Sequence, residues 1–262
     1  MKNGSAAGRV GRWMGSRRAA LVAVLLALGC GGAPEEQDAP ELAATQQAVT
    51  YTGDFDGDGV VDTLTTGVTG ITISHPGKGN RFYGISGSYS VSYIAELDGI
   101  AGFEVVVTRS GGVTVLIDRV GGFQPYAISG SFFVAGVSDT DGLPGGEVVV
   151  QAGNGIRTLK ARSFTTSFYG ISGTFSVARL DADTNGAAGT EIIVKGLSGI
   201  TIIHDANQSF SYYGMSASSF NITDICNDDG VAGNEVFVQL PSTRRVINDR
   251  LAGNTTTNKS TC

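Results

Sequence analysis

The sequence is poor in the side chains on which most catalytic and zinc sites depend. Its 262 residues include two histidines, three cysteines and one tryptophan. Neither His75 nor His204 has a cysteine or a second histidine at zinc-ligand spacing, so we predict that both are exposed residues at strand ends. A Gly-x-Ser-x-Gly elbow, a phosphate-binding glycine loop before a helix and a Cys–His nucleophile pattern are also missing. The sequence therefore argues against an enzyme.

A long hydrophobic run is missing too. The longest apolar run, residues 19–28, has ten residues, whereas about 20 are needed to cross a bilayer. It follows five basic residues and no acidic ones, which is the order of a secretory signal peptide. We assign residues 1–29 to this signal and expect no transmembrane anchor.

The signal leads into Ala-Leu-Gly-Cys30, a segment that resembles the lipobox of bacterial lipoproteins. The resemblance implies that Cys30 is lipidated and tethers the protein to a membrane of the bacterial cell envelope, at the outer membrane or cell surface. Residues 30–47 are rich in Pro, Ala, Glu and Gln and contain no aromatic residue. They cannot bury enough apolar surface to fold, so we predict a disordered tether.

Basic residues are scarce outside the signal. Removing residues 1–29 takes away five of the 18 lysines and arginines and none of the 24 acidic residues, which leaves a formal net charge of −11. Nucleic acids are bound through basic surface that neutralises phosphates. We therefore expect no nucleic-acid partner.

What the sequence does have is a repeat of 42 to 44 residues. In each copy an acidic residue opens an apolar run, as Glu104 and Glu147 each open Val-Val-Val. A segment like Tyr-Gly-Ile-Ser recurs with the same period, at Tyr83, Tyr126, Tyr169 and Tyr213. The five repeats cover approximately residues 48–87, 88–130, 131–173, 174–217 and 218–262.

Each repeat predicts four short strands, because β-branched and aromatic runs alternate with Gly, Asn, Asp and Ser. In the third repeat they are residues 131–137, 147–151, 155–160 and 167–172. Four strands in about 43 residues are typical of a β-propeller blade, and the lone tryptophan, in the signal, excludes repeats of the Trp-Asp type. We predict an all-β protein, a propeller of about five four-stranded blades over residues 48–262. The last repeat lacks an apolar pattern for its fourth strand.

Each repeat contains an acidic loop. In the first, Asp54, Asp56, Asp58 and Asp62 occupy positions 1, 3, 5 and 9, and Gly57 permits a turn at position 4. Alternating carboxylates on a tight loop direct several oxygens inward, as calcium requires. The loop resembles the DxDGDGxxD loops of FG-GAP and VCBS repeats, also found in the propeller of integrin alpha chains. This resemblance extends over residues 48–250 and implies calcium between the first two strands of a blade.

The other four loops lack the acid at position 5 but keep acidic or amide side chains at positions 1, 3 and 9. These residues are Glu96, Asp98 and Glu104; Asp139, Asp141 and Glu147; Asp183, Asn185 and Glu191; and Asn227, Asp229 and Glu235. Two interpretations stay open. Either these loops also bind calcium, or the glutamate at position 9 accepts hydrogen bonds from loop N–H groups and closes the turn without metal.

The function we expect is a non-catalytic, calcium-stabilised binding or scaffold module for a polysaccharide or protein ligand. A polysaccharide-processing enzyme and a structural assembly subunit are the alternatives. The recurring tyrosines either form core between blades, the commoner case, or line sugar sites there. In the resembling family the ligand face lies opposite the calcium loops, on the loops between second and third strands and on the connections between blades. Cys226 and Cys262 are predicted to form a disulfide, which an extracytoplasmic compartment permits.

Overall fold

The protein is described by a computed structural model over residues 48–215, 219–251 and 253–257. These residues belong to one compact unit that spans residues 45–262. They form five four-stranded antiparallel sheets, here numbered 1 to 5 in chain order. The all-β prediction and the four strands in each repeat are confirmed.

The strands have the following bounds. Sheet 1 contains β1 (Thr50–Gly53), β2 (Asp62–Gly67), β3 (Gly70–His75) and β4 (Gly79–Gly84); sheet 2 contains β5 (Tyr89–Ala95), β6 (Glu104–Arg109), β7 (Gly112–Ile117) and β8 (Gly122–Ala127). Sheet 3 contains β9 (Phe132–Ser138), β10 (Glu147–Ala152), β11 (Gly155–Lys160) and β12 (Thr165–Gly170). Sheet 4 contains β13 (Phe175–Ala182), β14 (Glu191–Gly196), β15 (Gly199–His204) and β16 (Ser209–Gly214); sheet 5 contains β17 (Asn221–Cys226), β18 (Glu235–Gln239), β19 (Arg244–Asn248) and β20 (Gly253–Thr257). Short 3₁₀ turns follow three of the third strands, at Asp118–Val120, Asp205–Asn207 and Asp249–Leu251.

Within every sheet the strands pair in chain order. Because neighbouring strands are antiparallel, the acidic loop between the first and second strands lies at the same end of the sheet as the turn between the third and fourth. The loop between the second and third strands and the connection to the next sheet lie at the other end. This topology brings the third-strand turns close to the acidic loops.

The sheets pack face to face in chain order. Successive residues of a strand point to opposite faces, and the second strands use both faces. Val105 and Val107 belong to an apolar cluster with sheet 1, whereas Val106 belongs to a cluster with sheet 3. All three side chains are fully buried. Further clusters join sheet 3 to sheet 4 and sheet 4 to sheet 5.

One strand prediction needs correction, and one strand forms without an apolar pattern. The fourth strand of the third repeat is β12 (Thr165–Gly170), two residues earlier than predicted, because Gly170 pairs with Gly155 and the chain then leaves the sheet. In the last repeat a fourth strand is present although no apolar pattern in the sequence indicates it. That strand, β20, is a run of Asn and Thr paired with β19, and threonine favours strands without being apolar.

Candidate functional site

The five acidic loops share one hydrogen-bonded framework. The acid at position 9 accepts a hydrogen bond from the N–H at position 2: Asp62 accepts from Phe55 at 2.9 Å and Glu147 from Thr140 at 2.7 Å. The other position-9 acids do the same for Leu97, Thr184 and Asp228. At position 1, the side chain accepts from the glycine at position 4, as Asp54 does from Gly57 at 2.7 Å. The loops are therefore closed by their own side chains, as the metal-free interpretation requires.

In three loops a basic side chain from the end of the third strand, or from the turn after it, meets the remaining carboxylate oxygens. Arg250 Nη2 lies 2.6 Å from both Asp229 Oδ2 and Glu235 Oε1. Lys160 Nζ lies 3.1 Å from Asp141 Oδ2. Arg119 forms an ion pair with Asp98 and lies 3.9 Å from Glu104 Oε1. A cation of the protein thus occupies the place that a metal would take.

In loop 4 an amide, and not a basic side chain, contacts the carboxylate at position 9. Asn185 Nδ2 donates to Glu191 Oε1 at 2.6 Å and lies 3.2 Å from His204 Nδ1. In loops 2 to 5 the protein's own donors thus meet the acids, and carboxylate oxygens also gather within 4.8 Å of one another in loops 2 and 3. Calcium binding by these four loops stays a prediction.

Loop 1 also meets a base, but it has an additional acid at position 5. Oxygens of Asp54, Asp56 and Asp58 lie within 4.8 Å of one another, an arrangement that fits a hard cation. Lys78 Nζ lies 2.6 Å from Asp56 Oδ2 and 2.5 Å from Asp58 Oδ2, and its hydrogen bond is the main reason that the pKa of Asp58 is lowered. Asp62 does not join these three, because one of its oxygens accepts from Phe55 and the other lies 3.0 Å from His75 Nδ1.

Sequence reasoning missed these partner side chains. The signal that could have found them is an offset, because the base follows the position-3 acid by 19 to 22 residues: Lys78 after Asp56, Arg119 after Asp98, Lys160 after Asp141 and Arg250 after Asp229.

The prediction that the two histidines are exposed is wrong. Only 9% of His75 and 8% of His204 is exposed, because each ends a third strand where it meets the next sheet. His75 Nε2 lies 2.9 Å from Asp118 Oδ2, and His204 Nε2 lies 3.2 Å from Asp249 Oδ2. Burial lowers the pKa of His204, but Glu191 and Asp249 outweigh it, so the pKa is raised.

The recurring tyrosines are core residues, 5–7% exposed. Three of them donate to the turn aspartate of the next sheet at 2.5 Å: Tyr83 to Asp118, Tyr169 to Asp205 and Tyr213 to Asp249. Between sheets 2 and 3 the buried Ile117 and Ala161 replace both the base and the aspartate, and Tyr126 donates to Lys160 O at 3.1 Å instead. Loss of both charges together leaves no buried charge unpaired.

A groove of about 380 Å³ opens between sheets 3 and 4. The connection from β12 to β13, the turn between β14 and β15, and the outer strand β16 line it. Phe210 and Tyr212 are 58% and 57% exposed. Ser172, Thr174, Ser198 and Thr201 supply hydroxyl groups, and none of the described lining residues is charged. The volume lies in the range of about 300–1,000 Å³ that is usual for small-molecule sites.

The Tyr212 ring is held in place. Its hydroxyl donates to Ser198 O at 3.0 Å and lies 3.0 Å from Ser198 Oγ. The ring lies over Gly199, where a Cβ atom would lie 2.5 Å from Tyr213 O, 2.7 Å from the Tyr212 hydroxyl and 2.8 Å from the Tyr212 ring. A side chain at position 199 would therefore clash with the Tyr213 backbone and displace Tyr212, so glycine is required there for close approach.

The equivalent position between sheets 1 and 2 shows what keeps the groove open. Arg109, the sixth residue of β6, stands where β14 has Gly196, and the space there is only about 40 Å³. Phe123 corresponds to Phe210. Sequence reasoning pointed to this kind of loop and connection as the ligand face, but not to these residues. The exchange of arginine for glycine within the repeat is the signal that could have found them.

Comparisons with known proteins found no matching family model and no matching curated protein. A solved lectin from Agrocybe aegerita, described as recognising non-reducing terminal N-acetylglucosamine, aligns with 80% of this chain at 12% identity and a TM-score of 0.43. An auxiliary nutrient binding protein from Bacteroides thetaiotaomicron aligns with 79% at 8% identity and a TM-score of 0.33. The chain spans 65% and 56% of these two proteins. Likeness at this level establishes neither a shared fold nor a shared ligand.

Cys226 is disulfide-bonded. Cys30 and Cys262 lie outside the described residues, so the predicted lipidation and the predicted pairing of Cys226 with Cys262 stay predictions. In the described part of the chain, no helix has the length and apolar character needed to cross a membrane.

Proposed function

We propose that this protein is a non-catalytic module that binds a neutral carbohydrate in the groove between sheets 3 and 4. The observation that carries the proposal is the pair of exposed rings, Phe210 and Tyr212, beside a wall of hydroxyl groups. A pyranose ring has an apolar face that stacks on an aromatic ring and a rim of hydroxyl groups that exchange hydrogen bonds with serine and threonine.

The absence of charge in the described lining narrows the ligand class. Phosphate and carboxylate ligands are normally held by arginine or lysine, and glycoside cleavage needs a pair of carboxyl groups beside the bond. The described lining residues offer neither. This lining therefore suits an uncharged, hydroxylated ligand that is bound but not cleaved.

The rest of the proposal concerns the scaffold. We place the five stacked sheets in a propeller, anchored by lipid on Cys30 in the bacterial envelope. Calcium at Asp54, Asp56 and Asp58 stabilises the first loop, whereas the protein's own donors fill the other four. Support comes from the consecutive stacking of sheets and from the ion pairs of Arg119, Lys160 and Arg250.

The test is a glycan array probed with the purified full chain, with and without calcium, followed by calorimetry on the retained glycans. Tyr212→Ala should weaken binding at least about tenfold, as expected when an aromatic anchor worth more than about 1.4 kcal/mol is removed. Gly196→Arg should abolish binding by filling the groove as Arg109 does between sheets 1 and 2. Gly196 accepts a side chain, since its Cβ would meet only Gly199 O, at 3.4 Å, and Thr174 O, at 4.0 Å.

Phe123→Ala is the control, because Phe123 is an exposed ring at the position of Phe210 in the space narrowed by Arg109. Its binding should equal that of the wild type. Retention of no neutral glycan, or equal losses in Phe123→Ala and Tyr212→Ala, would refute the proposal. Shortened oligosaccharides in the eluate would show an enzyme instead.

A further inference from the structure

A second group of possible ligands overlaps the three outer acids of loop 1, because it shares Asp56 with them and adds the buried Asp62 and His75. Their ligand atoms lie within 4.8 Å of one another. Asp62 is 1% exposed and His75 is 9% exposed. Asp62 Oδ1 and both ring nitrogens of His75 are buried without a hydrogen-bond partner among the described residues.

The spacing of these atoms matches the ligand shell of a tetrahedral ion. His75 Nδ1 lies 3.0 Å from Asp62 Oδ1 and 3.6 Å from Asp56 Oδ2. Ligands about 2.0 Å from a tetrahedral metal are separated by about 3.3 Å. The two observed separations bracket that value.

Both ring nitrogens of His75 face a carboxylate without forming a hydrogen bond to it. Nδ1 lies 3.0 Å from Asp62 Oδ1 and Nε2 lies 2.9 Å from Asp118 Oδ2, yet neither pair has hydrogen-bond geometry. The lone pair of Nδ1 is therefore not taken up by a protein donor.

We propose that Asp56, Asp62 and His75 form a site for one divalent transition-metal ion of the Zn²⁺ type. An imidazole nitrogen with two carboxylates suits such an ion, whereas calcium takes oxygen ligands. Water completes the four ligands. Asp118 of sheet 2, whose Oδ2 lies 2.9 Å from His75 Nε2, orients the ring from behind. The ion therefore ties loop 1 to the next sheet.

The other loops lack this combination. Sheet 2 has Ile117 at the strand position of His75, and Arg119 meets its acids. Sheet 3 has Lys160 at that position. Sheet 4 has His204, but Asn185 replaces the position-3 acid and its amide nitrogen lies 2.6 Å from Glu191. Sheet 4 is therefore one substitution away from the same ligand set.

Lys78 competes for the site. Its ammonium lies 2.6 Å from Asp56 Oδ2, and its side chain is 49% exposed. An exposed lysine can swing into solvent at small cost, because a surface ion pair contributes only about 0.2–1 kcal/mol. The metal displaces the ammonium from Asp56.

The test is calorimetry of the tag-free, chelator-stripped full chain with Zn²⁺ and, separately, with Ca²⁺. The wild type should bind one Zn²⁺. His75→Asn should weaken this binding at least about 100-fold, Asp118→Asn about tenfold, and Lys78→Ala should tighten it roughly threefold. The visible spectrum of bound Co²⁺ should report tetrahedral geometry in the wild type and should be lost in His75→Asn.

The chain supplies its own controls. His204→Asn should leave Zn²⁺ binding unchanged, whereas Asn185→Asp should add a second site with Glu191 and His204. Circular dichroism melts exclude misfolding of each variant. Absence of Zn²⁺ binding, or Zn²⁺ binding that His75→Asn and Lys78→Ala leave unchanged, would overturn the proposal. Ca²⁺ binding unaffected by His75→Asn would assign that ion to Asp54, Asp56 and Asp58, without the histidine.

Discussion

The acid at position 9 of each loop is buried, and its protonation depends on the few groups that contact it. The position-9 acids are 1–4% exposed, and each gives one oxygen to a loop N–H. Such a carboxylate loses much of its hydration and regains only part of that stabilisation from one hydrogen bond and one nearby base. Burial accordingly raises the pKa of Glu104 and of Glu147 to about 7.

We predict that Glu147 makes stability fall as the pH rises. Its pKa is raised from 4.5 to about 7, so between these values the folded protein binds more protons than the unfolded chain, and stability decreases with pH. Glu147→Gln keeps an oxygen for the Thr140 N–H but cannot titrate. Urea unfolding at about pH 5 and pH 8 should show a drop on the order of 2 kcal/mol larger in the wild type than in the variant.

The control for that experiment is Asp181→Asn, since Asp181 lies on the surface in an exposed pair with Arg179. Its pH dependence should follow the wild type. Equal slopes for the wild type and Glu147→Gln would contradict the assignment of the titration to Glu147.

The positions of the loop acids were predictable because they lie within nine residues of one another. Their partners were not, because Arg119, Lys160 and Arg250 reach the loops only through the antiparallel pairing that brings the third-strand turn to the same end of the sheet. The groove had no sequence motif at all. The groove depends on Gly196 in β14 and on the rings of Phe210 and Tyr212 in β16, and both strands belong to sheet 4.

At the scale of the element, the acidic loops form a ladder that links consecutive sheets. The N–H at position 8 of each loop donates to the carbonyl at position 1 of the loop before it: Phe103 to Asp54, Gly146 to Glu96, Thr190 to Asp139 and Asn234 to Asp183, at 2.6–3.1 Å. Glycine at position 4 allows the next loop to approach. A Cβ at Gly142 would lie 2.6 Å from Ala188 O, whereas one at Gly230, in the last loop, would meet no described residue within 4 Å.

This difference gives a prediction with a built-in control. Gly142 and Gly230 share a left-handed conformation, with φ of 73° and 78°, so alanine at either position costs roughly 1–2 kcal/mol in backbone strain. Only Gly142→Ala also pushes the next loop away. We expect it to reduce the free energy of unfolding by about 1–3 kcal/mol more than Gly230→Ala, as measured by urea titration. Equal losses would show that the ladder contributes nothing to stability.

Strand positions were predictable where the apolar pattern determines them, as in β10 and β11. They were less predictable where pairing with a neighbouring strand determines them. Each predicted strand of the third repeat matches an observed one. The last is shifted because the pairing of Tyr169 with Ile156 fixes its register. The fifth repeat showed no apolar pattern for its fourth strand because β20 contains no apolar residue to mark it.

At the scale of the whole molecule, each interface between consecutive sheets is either charged or apolar at the turn after the third strand. Three interfaces bury an aspartate with a base and a tyrosine, and the interface between sheets 2 and 3 buries Ile117 and Ala161 instead. Burying a charge costs free energy unless its partner is also present. The repeat tolerates either solution because base and aspartate are gained or lost together. Across the stack, as at a single buried acid, a charge is therefore kept where its partner is also kept.

The last sheet carries a covalent link. Cys226 ends β17 beside the fifth acidic loop and is disulfide-bonded, and we predict Cys262 as its partner. That bond would close a loop of about 36 residues and stabilise the protein by about 4 kcal/mol on a chain-entropy model. Cys226→Ser should lower the melting temperature, and reductant should lower that of the wild type but not that of the variant. Peptide mapping without reduction should recover a fragment joining Cys226 to Cys262, and a link from Cys226 to Cys30 or to a second chain would contradict the assignment.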